Sequence, residues 1–193
     1  MRLDRNLNLV LTVDGDDDKT YYVHSAPLGE LVFEKYFLQI TRTYAAMLES
    51  GGEWLMRMGP RTAALMLKKV AQMDGSWEGP EGVEQGLMNE IRRLSNVLAL
   101  VDGAWTMIPL QEAVTKKMFS PSDAREVENA VTFFTAVWCS LKRSEADSVL
   151  SAVFGLFGAQ LTSSTLTEWS DSLPTSTPDA NSGATEALSS IPH

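Results

Sequence analysis

Residues 120–161 read SPSDAREVENAVTFFTAVWCSLKRSEADSVLSAVFGLFGAQL, and the reading of this stretch decides the fold. After Ser-Pro-Ser-Asp, the residues Val127, Val131, Phe134, Trp138 and Leu141 recur at spacings of 4, 3, 4 and 3. That puts large apolar side chains on one helix face, which Phe133 and Val137 widen. Ser120 is the N-cap, with Pro121 in the first turn. Beyond a polar turn at 142–144, Ala146, Val149, Leu150, Val153, Phe154 and Phe157 share one face of a second helix ending near Leu161. Two such helices predict a hairpin with a buried seam. At about 1.5–3 kcal/mol per fully buried large side chain, it would be the largest local source of stability. The pattern carries no chemistry.

The 193 residues suit one domain with an appendage. Hydrophobic residues at 44% and charged residues at 21% exclude wholesale disorder. No apolar run reaches the roughly 18–20 residues that cross a bilayer, and residues 149–161 are interrupted by Gly155 and Gly158. The opening MRLDRN lacks the apolar core of a signal peptide, so the chain is expected to stay in the cytosol where it is made, with no membrane partner. The net charge of −9 is unevenly placed, because no Lys or Arg follows Arg143. With no basic stripe elsewhere, nucleic acid is excluded as a partner.

Residues 3–13 alternate through Leu3, Leu7, Leu9, Leu11 and Val13, and residues 14–18 (DGDDD) separate them from Thr-Tyr-Tyr-Val-His at 20–24. This predicts an N-terminal β-hairpin. Asp14, Asp16 and Asp18 are spaced like a calcium loop, but the glycine and the acid that such a loop needs later are Lys19 and Ser25. A solvated turn is the better account. Ser25-Ala26-Pro27 opens a long helix with Phe33, Phe37, Ile40, Tyr44 and Met47 inward, stopped by Gly51-Gly52. Trp54, Leu55, Met56 and Met58 then crowd a short connection, and they read either as a strap on the core or as a partner-binding patch. Pro60 starts the next helix, which buries Ala63, Met66, Leu67, Val70 and Met73. Another helix over 81–96 turns Val83, Leu87, Ile91 and Leu94 inward, and its Gly82 and Gly86 are spaced like a close-packing pair. Residues 97–101 and 104–108 about Asp102-Gly103 predict a second small hairpin, and Pro109 starts a short helix.

The expected fold class is therefore mainly α within α+β: a helical core with two small hairpins and a disordered C-terminal tail. Residues 1–171 form the single mostly helical domain, with room for one helical turn through Leu166 and Trp169. Residues 172–193 form a flexible, acidic tail rich in Ser, Thr and Pro that cannot offset its ordering entropy.

Catalytic, cofactor and metal sites are all expected to be absent, and the protein is expected not to be an enzyme. The two histidines, His24 and His193, have no Gly-x-Ser-x-Gly to work with, and with Cys139 they are too few for a zinc site. Cys139 has no neighbour to activate it and reads as a buried small hydrophobe. Glu126 and Glu128 face different sides of a helix and read as solvated charges.

Several segments together resemble the tail assembly chaperones of long-tailed bacteriophages. They are MRLDRNLNLVLTV, YYVHSAPLGELVFEKYF, GPRTAALMLKKVA, EGVEQGLMNEIRRLSNVL and GAQLTSSTLTEWSDSLPTSTPD, which span most of the chain. The resemblance is one of overall order and texture, with no mechanistic motif. It implies a non-catalytic helper in the host cytoplasm that binds the tape measure protein, keeps it soluble and is absent from the mature virion. It also implies a frameshifted longer product that recruits the tail-tube protein. Nine methionines suit an adaptable client surface, and Trp54, Leu55, Met56 and Met58 are the contact residues expected from the sequence. A homo-oligomer stays open. The alternatives are a structural virion subunit (a tail-completion or connector protein) and a small adaptor, which would need a sizeable closed apolar pocket.

Overall fold

The computed structural model describes residues 8–14, 20–49, 53–101, 104–118, 120–140 and 159–173. Its first alternating run forms β1 (Asn8–Asp14), paired antiparallel with β2 (Thr20–Ser25), and Asp14 stands opposite Thr20. The second hairpin comprises β3 (Ser95–Val101) and β4 (Ala104–Pro109), with Val101 opposite Ala104. Both linking turns lie outside the described residues.

The mainly helical fold class is overturned. β2 also pairs with β3, setting Tyr22 opposite Leu98 and Ser25 opposite Ser95, and β5 (Ala159–Thr162) takes the other edge of β1. The result is one five-stranded antiparallel sheet, β4-β3-β2-β1-β5, which with the seven α-helices among the described residues makes an α+β mix. The physical reason is the unpaired N–H and C=O row that a lone hairpin leaves on each outer edge. Joining the hairpins satisfies those groups across some seventy residues of sequence, and local periodicity carries no trace of such a pairing.

The expected helical hairpin falls only partly on described residues, and its far end is corrected. Its first helix exists as α6 (Pro121–Ser140), capped by Ser120, whose Oγ accepts from the Asp123 N–H at 3.1 Å. Val127, Val131, Phe133, Phe134 and Val137 are buried. The end of the expected second helix is strand β5, and residues 141–158 lie outside the described residues. Among the described residues α6 packs chiefly on α3, with α2 and β1 beside it.

Three further boundaries differ. The first long helix is two, α1 (Glu30–Lys35) and α2 (Phe37–Glu49), and Ser25 belongs to β2. At the junction the core takes the ring of Tyr36 and leaves Phe37 47% exposed, so Phe37 does not belong to the buried face. Helix α3 (Glu53–Met73) starts well before Pro60. The residues expected to form a connection are its first two turns, because a proline inside a helix forfeits one backbone bond without ending a helix that tertiary packing supports. Met73, expected inward, is 86% exposed. The helix expected over 81–96 is a π turn at Glu84–Met88 running into α4 (Asn89–Leu94), and Ser95 and Asn96 enter β3.

α5 (Leu110–Thr115) follows β4, and α7 (Leu166–Ser172) follows β5. The sheet thereby separates two apolar layers. The larger joins Leu9, Leu11 and Val23 to the inner faces of α2, α3, α4 and α6. The smaller, on the opposite face, joins Val10, Tyr22 and Leu98 to Trp169 and Leu173. Buried Leu173 carries the fold past residue 171; the rest of the expected tail, 174–193, is outside the described residues.

Candidate partner-binding surfaces

Among the described residues, no group of three or more His, Cys, Asp or Glu could hold a metal ion. His24 is buried in β2, its ring tilted against Trp169 at 5.6 Å and its Nε2 3.5 Å from the Ser164 carbonyl. Burial pushes its pKa below the usual 6.5, and the Ser164 carbonyl opposes the shift only in part. The contacts that His24 makes among the described residues are packing contacts. Glu128 pairs with Arg92 on α4 at 2.5 Å and Glu126 faces Arg61 on α3 at 3.9 Å, so each tethers a different helix. Asp14 closes β1, while Asp16, Asp18 and His193 lie outside the described residues, as does the side chain of Cys139.

A void of about 10 Å³ between α2, α3, α4 and α6 is lined by Ile40, Leu67, Leu87 and Ile91 with Thr43 and Thr132. It takes nothing larger than a water. Among the described residues no helix is long and apolar enough to cross a membrane.

What the fold does present is apolar side chains on its outside. At the β4–α5 edge, Met107, Val114 and Met118 are 44%, 45% and 38% exposed. β4 is the last described strand of the sheet, and no other described strand pairs with its outer edge. On the helical side the exposed residues form two short rows. Leu31 and Leu38, 80% and 55% exposed, are seven positions apart on α1 and α2. Leu65 and Met73, 62% and 86% exposed, are eight apart on α3. Beside the first row, Lys35 pairs with Glu81 and Arg42 with Asp74, which neutralises both cations locally. Asp74 is held below the usual carboxylate range, first by the Ser76 hydroxyl, then by the Ser76 backbone N–H and by Arg42.

Trp54, Leu55, Met56 and Met58 all fall in the first two turns of α3; their side chains lie outside the described part. The surfaces that the sequence reading missed had a usable signal. Leu31 and Leu38 are apolar positions left over after the helix has filled its inward stripe, whereas Phe37 fits that stripe and carries no such signal. No protein-family model, curated protein or solved structure matches this chain.

Proposed function

We propose that this protein is a non-catalytic tail assembly chaperone of a long-tailed phage. It binds the tape measure protein in the host cytoplasm, keeps it soluble until tail-tube subunits polymerise, and is left out of the mature virion. The observation that carries this reading is the methionine-bearing β4–α5 edge, where Met107, Val114 and Met118 stay outside the core. Unbranched, polarisable methionine accommodates the changing side chains of a long amphipathic client. The start of α3, with Trp54, Leu55, Met56 and Met58, is a second contact.

Co-expression with the cognate tape measure protein tests the proposal: its soluble yield should rise, and the two should co-elute. Replacing Met107 and Met118 by Ser should lower that yield while the chaperone itself stays folded. An unchanged yield with no complex would overturn the reading. So would stoichiometric recovery of the protein from purified virions, which marks a structural subunit.

A further inference from the structure

The two exposed rows on the helical side have the same design with opposite charge. Leu31 and Leu38 bracket Glu34, and Leu65 and Met73 bracket Lys69. In each case an apolar residue, a charge and another apolar residue follow one helix face over two turns. Tyr36 does not break the first row, because its N–H still reaches the Val32 carbonyl and its carbonyl still accepts from Ile40. At about 1.5 Å per residue the rows span about 10 and 12 Å, so they match in length. Among the described residues neither Glu34 nor Lys69 has an ion-pair partner, although Lys35, Arg42 and Arg61 nearby all do. Four of the most exposed large apolar side chains are thus arranged about a carboxylate and an ammonium that have no ion-pair partner among the described residues.

We infer that the protein associates with itself through these rows. The Leu31–Glu34–Leu38 row of one copy lies against the Leu65–Lys69–Met73 row of another, where Glu34 meets Lys69 inside a rim of buried leucine and methionine. The rows are different residues from the β4–α5 edge proposed for the client, so self-association and client binding can be lost separately. Contacts that satisfy both rows at once close as a two-fold dimer; contacts that satisfy one at a time build longer species.

The test is light scattering and sedimentation of the full chain over a concentration series. The wild type should pass from monomer to a larger species as concentration rises. Glu34→Lys and Lys69→Glu, both at exposed positions, should each weaken association about tenfold by turning the attraction into repulsion. An equimolar mixture of the two variants should recover it, because each supplies the charge the other has lost, and so should the double variant. A wild type that stays monomeric at its highest soluble concentration would overturn the inference. So would association that ignores both reversals, or reversals that the mixture does not rescue.

Discussion

The phenol of Tyr36 occupies the space that a β-carbon on Gly86 would need. Its hydroxyl lies 3.1 Å from the Glu81 carbonyl and 3.3 Å from the Gly82 carbonyl, so the ring is seated on the turn that enters the π segment. A widened turn with glycine at its closest point lets an aromatic ring from the α1–α2 junction pack against the π segment. Gly86→Ala should cost about 1–3 kcal/mol by overpacking, and Tyr36→Phe about 0.5–1.5 kcal/mol through the lost hydrogen bond. Urea unfolding measures both. An alanine variant as stable as the wild type would show that the contact gives way freely.

Asn129 ties α6 to α3. Its Oδ1 accepts from the Ala64 N–H at 2.9 Å and its Nδ2 donates to the Arg125 carbonyl at 2.8 Å. The side chain is buried, and Ala64 stands one turn past Pro60, where the helix ladder is already short of a donor. Asn129→Leu should therefore lose about 1–3 kcal/mol despite its similar size, because the polar groups left behind have no water. A gain in the urea midpoint would contradict this.

His24 sets a pH window. Its folded-state pKa is depressed by burial, so the unfolded chain binds the proton more readily. Stability is complete above about pH 6.5 and falls as pH drops from there toward the depressed value. Asp74, Glu90 and Glu168 are held low by hydrogen bonds from Ser76, Arg93 and Thr165, so their contributions are lost only at more acid pH. His24→Gln should flatten the slope between about pH 7 and about pH 5 in chemical denaturation series. An unaltered slope would assign the acid sensitivity elsewhere.

Helix α7 depends on its cap. Thr165 accepts from the Glu168 N–H through its side chain, and Glu168 accepts in return from the Thr165 N–H at 2.8 Å. Thr165→Ala should cost about 1 kcal/mol and speed hydrogen exchange in α7 before it does so in α6. The cover of Tyr22 and Leu98 by Trp169 would then loosen first. Uniform acceleration across the chain would show that the two apolar layers unfold as one.

The candidate surfaces were only partly legible. Phe37 fits the helical period of the inward face, but the junction at Tyr36 shifts which ring the core accepts. Trp54 to Met58 stood out as apolar crowding, yet the Gly59-Pro60 pair made their helix look like a loop. A left-over apolar position such as Leu31 marks a candidate, but whether it, Glu34 and Lys69 stay exposed depends on what fails to pack against them, and no local spacing records that.

The sequence by itself determined the elements whose signals are local. The hairpin strands at β1–β2 and β3–β4, the Ser120 cap of α6, and the inward Val127, Val131 and Phe134 follow from alternation, helical period and capping chemistry within a few residues. Only the tertiary structure decided that β2 lies beside β3, that β5 pairs with the outer edge of β1, and that α3 packs against α6. Those choices satisfy backbone groups and apolar faces whose partners are far off along the chain. A strand edge or a helix stripe announces that it needs covering, but many segments could cover it, and which one does is settled by how the whole chain packs.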